Sequence, residues 1–123
     1  AVITGGAKRL GSHLARQLSG KGFRVVINYR RSGKDAARLV EEIGSNGGSA
    51  RSFQADISSK EEVTAMFRLV RDRERRLDLL VNNVGNYAPG PVETLTPEGW
   101  DECINTNLSG AYYCCYAAHY VGH

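Results

Sequence analysis

Residues 1–15, Ala1-Val2-Ile3-Thr4-Gly5-Gly6-Ala7-Lys8-Arg9-Leu10-Gly11-Ser12-His13-Leu14-Ala15, decide how this chain is read. An apolar triplet, Ala1 to Ile3, feeds a glycine-rich turn, and Leu10, Leu14 and Leu18 then share one face of a helix-like stretch. The order is strand, phosphate loop, helix. Such a turn leaves backbone N–H groups uncovered at a helix N-terminus, where the partial positive charge favours a pyrophosphate. Gly5 and Gly11 allow positive φ and close backbone approach to a ligand. The first chemical commitment is to a nucleotide.

Downstream, the apolar period alternates between strand-like and helix-like. Arg24 to Tyr29 is β-branched and predicts a second strand. Gly33 to Asn46 carries Ala36, Leu39, Val40 and Ile43 at helical spacing, with Gly47-Gly48 as a stop. Ala50 to Gln54 predicts a third strand. Ser58-Ser59-Lys60-Glu61-Glu62 has the pattern of an N-cap followed by acids, and Val63, Met66, Phe67 and Val70 form the buried face after it. Leu77 to Asn82 predicts a fourth strand, apolar on both faces except at Asp78. Thr96-Pro97-Glu98 is a helix start with Pro at the first helical position. A final helix is expected from about Asn107. Alternating strands and helices with tight links predict an α/β fold: a Rossmann-type, doubly wound parallel sheet in three α/β/α layers, incomplete at about four strands.

The chain has 123 residues, 41% of them hydrophobic, enough for one domain. Its first residue already reads as strand, and it ends in the apolar run Ala111 to His123, so the N-terminal half of a longer single-domain protein is expected. A net charge of +3 is too small to indicate nucleic-acid binding without a focused patch. Acids are interleaved with bases in the run Arg68 to Arg76, which reads as a solvated helix end. No apolar run is long enough to span a bilayer, and no signal peptide is visible. Three cysteines, Cys103, Cys114 and Cys115, without metal-type spacing suggest reduced thiols and a cytoplasmic protein.

The end of the second strand judges the adenosine ribose. An acid there accepts hydrogen bonds from a 2′-hydroxyl in NAD binders, and bases replace it in NADP binders. Here Asn28-Tyr29-Arg30-Arg31-Ser32 contains no acid before Asp35. Two guanidiniums and a hydroxyl suit a 2′-phosphate, which Arg grips bidentately. Lys8 adds a further positive group. NADPH/NADP is the expected cofactor.

Four motifs, in order and at suitable spacing, resemble the short-chain dehydrogenases/reductases: Thr4 to Gly11, Asp56-Ile57, Asn82-Asn83-Val84-Gly85, and Asn107-Leu108-Ser109-Gly110. The resemblance covers essentially the whole chain. Val84, where the family commonly has Ala, is a minor departure. The resemblance implies that Asp56 faces the adenine amino group with Ile57 beside it, and that Asn83, Val84 and Gly85 let the backbone pass close to the ribose. It implies that Asp78 steadies the strand beneath that loop. Asn107 matches the asparagine that kinks the helix and holds a water of the proton relay; an N-cap of the last helix is a compatible role. Arg9 replaces the middle glycine of the loop motif. With Leu10 beside it and Tyr29 to Ser32 downstream, this is similar to the pteridine-reductase branch, whereas Asn83 to Asn86 is similar to 3-oxoacyl-carrier-protein reductases. The branch stays open.

The family's catalytic Tyr-x-x-x-Lys and its Ser are absent, since none of the six tyrosines has Lys four residues later. The expected full-length activity is therefore NADPH-dependent reduction of a carbonyl or pteridine-type C=N substrate. The segment alone is expected to be inactive, and a homodimer or homotetramer is implied. The rival reading is a non-catalytic NADP-binding module acting through protein contacts. His119 and His123 have metal-ligand spacing on a helix but no third ligand in sight, so no metal is expected. Tyr112, Tyr113, Tyr116 and Tyr120 read as packing or subunit-contact residues, and Cys114-Cys115 as buried small side chains.

Overall fold

A computed structural model describes residues 1–85 and 90–121. Four parallel strands form one sheet in the order β3-β2-β1-β4, with β1 at Val2–Ile3, β2 at Val25–Tyr29, β3 at Ala50–Gln54 and β4 at Leu80–Val81. Helices connect them: α1 at Arg9–Gly20, α2 at Gly33–Ser45 and α3 at Lys60–Glu74. After β4 come a 3-10 turn at Val92–Thr94 and α4 at Pro97–Cys103. A π-helical turn, Ile104–Ser109, leads on into α5 at Gly110–Val121.

Alternate residues of the strands feed two cores. Ile3, Val25 and Ile27 pack against Ala15, Ala36, Leu39 and Ile43 of α1 and α2. Val2 and Val26 pack on the other face against Val63, Met66, Phe67 and Val70 of α3 and Cys114 and Val121 of α5. This is the three-layer arrangement expected of parallel strands with right-handed crossovers. Among the described residues no helix is long and apolar enough to cross a membrane.

The predicted helix signals operate as physics requires. Ser59 caps α3, its hydroxyl accepting the Glu62 N–H at 3.3 Å. Thr96 caps α4, accepting the Gly99 N–H at 3.0 Å, with Pro97 at the first position. Arg68, Arg71, Arg73, Arg75 and Arg76 are exposed, as expected of a solvated helix end.

Three expectations change. First, β4 is two residues rather than Leu77 to Asn82. It pairs with β1 at Val2↔Leu80 and Ile3↔Val81. Second, α1 does not bury Leu10. Its buried residues are Gly11, Ser12 and Ala15, small enough to bring the helix close to the sheet, and Leu10 is 62% exposed. Third, no helix begins at Asn107. This residue lies inside the π turn of one helical run from Pro97 to Val121, so its N-cap role is withdrawn.

Candidate functional site

The C-terminal ends of β1, β2, β3 and β4 open into one cleft of about 720 Å³. Of the cofactor residues expected from sequence, Gly5, Lys8, Arg9, Leu10, Tyr29, Arg30, Arg31, Ser32, Asp56, Ile57, Asn83, Val84 and Gly85 line it. Gly11 lies behind the loop. A Cβ there would meet the Gly5 carbonyl oxygen, with Asn83 Nδ2 at 2.7 Å and Gly6 Cα at 2.8 Å, so backbone contact excludes a side chain. Gly5 has φ +60°, where any other L-residue is strained.

Thr4 builds the floor of the cleft. Fully buried after β1, its hydroxyl accepts the N–H of Asn83 at 2.9 Å and of Val84 at 3.3 Å, and donates to the Val81 carbonyl at 3.4 Å. Asn83 Nδ2 in turn donates to the Gly5 carbonyl at 3.1 Å. The loop after β4 is thereby laced to the loop after β1.

Arg9 has φ +53°, a left-handed conformation at the position where the motif has glycine. The backbone keeps a glycine-like geometry while carrying a guanidinium into the cleft, at a cost of about 1–2 kcal/mol. Ser12 Oγ donates to the Arg9 carbonyl at 2.8 Å and helps to hold this turn.

The charged wall is partly self-paired. Lys8 Nζ lies 3.5 Å from Asp35 Oδ2, and Arg30 Nη2 lies 3.4 Å from Asp56 Oδ2. Burial raises the Asp56 pKa, but the Ser58 hydroxyl and amide, followed by Arg30 and Arg31, outweigh it and leave the carboxyl below its ordinary value. Glu62 Oε1 accepts the Asp56 N–H at 3.1 Å, tying this loop to the first turn of α3. Positive charge gathers along this wall, with Asp35 and Asp56 beside it.

Sequence reasoning passed over Ala7, Asn28, Ala55, Glu102 and Thr106, which also line the cleft. For Asn28 a signal existed: an amide directly after Val25-Val26-Ile27 in a buried parallel strand needs partners. Asn107 lies off the cleft lining, with its Oδ1 3.8 Å from where a Cβ on Gly85 would stand. Asp78, just upstream of β4, is held by Arg76, Nη2 to Oδ1 2.6 Å. Asn86, Tyr87 and His123 lie outside the described residues. Among the described residues the three cysteines are free and no cluster of potential metal ligands occurs.

Comparison with known proteins agrees with this architecture. A family model described as short chain dehydrogenase matches residues 1–120. The 3-oxoacyl-[acyl-carrier-protein] reductase FabG of Staphylococcus aureus is 35% identical over 114 residues, covering 93% of this chain and 46% of that protein. A short chain dehydrogenase from Burkholderia cenocepacia in complex with NADP superposes with a TM-score of 0.91 at 30% identity, covering 96% of this chain and 49% of that one. A metagenomic short-chain oxidoreductase in complex with NADP gives 0.91 at 34% identity, covering 98% and 55%. The chain spans about half the length of the curated relatives it matches.

Proposed function

The chain belongs to the short-chain dehydrogenase family, and from that premise we propose that it forms the NADP(H)-binding half of a reductase acting on a carbonyl or pteridine-type C=N substrate. One observation carries the reading: Arg30, Arg31 and Ser32 stand on the same cleft as the glycine turn Gly5 to Arg9, with no acid at the ribose position.

The residues present fit the cofactor. Gly11 keeps side-chain atoms away from the backbone of the turn, so a pyrophosphate can approach the part of the turn beyond Gly5 and Gly6, whose N–H groups Asn28 holds. Arg30 and Arg31 would grip the 2′-phosphate and Ser32 would donate to it. Lys8 and Arg9 would add charge along the phosphates. Asp56 would accept from the adenine amino group, and Asn83, Val84 and Gly85 would flank the ribose. When bound, NADPH supplies a hydride to the substrate carbon. The matching proton must come from an acid, and this chain has no tyrosine with Lys at the fourth following position. The family resemblance assigns that proton to a Tyr-x-x-x-Lys outside residues 1–123, and Asn107 would hold a water on its path.

The second reading is a non-catalytic NADP-binding module acting through protein contacts. Titrating the full-length protein with NADPH and NADH, beside a ketone-reduction assay, separates the outcomes. Preferential NADPH binding with turnover supports the reductase, and binding without turnover supports the module. Equal affinity for both cofactors overturns the cofactor assignment.

A further inference from the structure

Asn28 is polar, 1% exposed, and is the fourth of the five residues of β2, directly after Val25, Val26 and Ile27. Its side-chain oxygen accepts the Gly5 N–H at 3.2 Å. Its side-chain nitrogen donates to the Ala55 carbonyl at 3.1 Å and to the Phe53 carbonyl at 3.4 Å. Its backbone carbonyl accepts the Gly6 N–H at 3.0 Å. One residue of β2 thus grips the first two residues of the glycine turn on one side and the end of β3 on the other.

Phe53 is the register partner of Asn28 in β3, whereas Gly5, Gly6 and Ala55 lie beyond the paired strand residues. The β1–β2 register ends at Ile3↔Ile27, and the β2–β3 register ends at Tyr29↔Gln54. Gly5 and Ala55 are the residues at which the chain leaves the sheet for the cleft, and Ala55 immediately precedes Asp56. We propose that Asn28 is a positioning residue that holds the phosphate-side turn and the Asp56 loop at a set separation, so that one ligand can span both. This deepens the NADP(H) reading and rests on it.

The chemistry of the site selects an amide. It requires an acceptor facing Gly5 and a donor facing two carbonyls, which Asn supplies in one planar group. An ionised Asp would keep the acceptor but turn a charged oxygen toward the Phe53 and Ala55 carbonyls. Burial and that repulsion push its pKa up, and the protonated form regains a donor. A residue that merely filled space would give no such pH response.

The test compares full-length wild-type protein with Asn28→Asp and Asn28→Ala, each titrated with NADPH by fluorescence between about pH 5.5 and 8.5. The charged groups around the cleft, Lys8, Arg9, Arg30, Arg31, Asp56 and Glu102, are common to all three, so a difference between profiles reports residue 28. Affinity is measured where circular dichroism shows each variant folded. Asn28→Asp is expected to bind about tenfold more weakly than wild type at the upper pH and to recover as pH falls. Asn28→Ala is expected to stay about tenfold weak at every pH. Parallel profiles for Asn28→Asp and wild type, or wild-type affinity in folded Asn28→Ala, overturn the proposal. Failure of the unaltered protein to bind NADPH overturns the cofactor reading, and this assignment with it.

Discussion

Arg30 and Asp56 face each other across the cleft, Nη2 to Oδ2 3.4 Å, with the arginine side chain 52% exposed and the aspartate 26%. Each was expected to serve a different part of one ligand. Their pairing holds the guanidinium near the end of β2 without burying it, so little desolvation opposes its transfer to a phosphate. An exposed pair of this kind contributes only about 0–1 kcal/mol, which a phosphate dianion readily outbids.

The double change Arg30→Ala with Arg31→Ala removes the charge beside the ribose position. Loss of charge-assisted hydrogen bonds costs about 1.5–3 kcal/mol, roughly ten- to a hundredfold in affinity. NADPH binding is expected to weaken by that factor while NADH binding barely moves. Titration with both cofactors decides it, and equal losses would contradict the 2′-phosphate assignment.

Gly11→Val places a β-branched side chain against the Gly5 carbonyl and Gly6 Cα. Both are backbone and cannot swing aside, so the turn must move. Cofactor binding is expected to disappear in a fluorescence titration of the folded variant. Unchanged affinity would show that phosphate binds elsewhere.

Acid sensitivity follows from Asp56. Its folded pKa lies below the ordinary value of 3.8. The folded state therefore binds fewer protons than the unfolded state in that range, and stability falls as pH drops through it. Asp56→Asn is expected to flatten the acid limb of a melting-temperature profile below about pH 5 while leaving the neutral region nearly parallel to wild type. An identical acid limb would remove Asp56 from the account.

Cys114 acts at the opposite end of the scale. Burial, then the neighbouring Cys115, raises its thiol pKa from 9.0 to about 12. The folded state retains that proton while the unfolded state loses it, so the contribution is intact below 9.0 and is lost as pH rises toward 12. The native thiol is expected to resist alkylation at pH near 8 until the protein is unfolded, because the thiolate is the reacting form. Mass spectrometry of labelled native protein checks this, and rapid native labelling of Cys114 would refute it.

A polypeptide of residues 1–123 alone is expected to self-associate and to show no ketone reduction. In α5, Tyr112, Tyr116 and Tyr120 are 61%, 53% and 60% exposed along one face, and among the described residues β4 pairs on one side only. An apolar face and an open strand edge both favour association. Light scattering after size exclusion, with an NADPH-coupled assay, tests both parts. A soluble monomer refutes the first expectation, and turnover refutes the second.

Most of the fold was legible because local rules and packing agreed. The second strand could be read from Arg24 to Tyr29, one residue longer than observed, and the third from Ala50 to Gln54. Ser59 and Thr96 marked helix starts through side chains that do cap. What stayed hidden depends on chain pairs. The length of β4 depends on its pairing with β1 at Leu80 and Val81, which Leu77 to Asn82 cannot encode locally. Leu10 shares its helical spacing with Leu14 and Leu18, yet it lines the cleft because Gly11 and Ala15 set the approach of α1 to the sheet. The continuous helix through Asn107 was missed because a polar residue before an apolar run is also the signature of a cap. The cleft was legible where charge and glycine marked it; at Asn28 the sequence signals only an amide in need of partners, and its role exists only once β1 and β3 lie on either side.

Arg9 also sets two kinds of selection against each other. Replacing it with glycine would relieve the left-handed backbone, so a lineage drifting under stability alone would shed the guanidinium by a single codon change. Any lineage that keeps arginine there accepts a less stable fold in every molecule, liganded or not. Residue 9 is thus a place where evolutionary pressure on ligand chemistry can be weighed directly, by comparing the melting temperature and cofactor affinity of the two alleles.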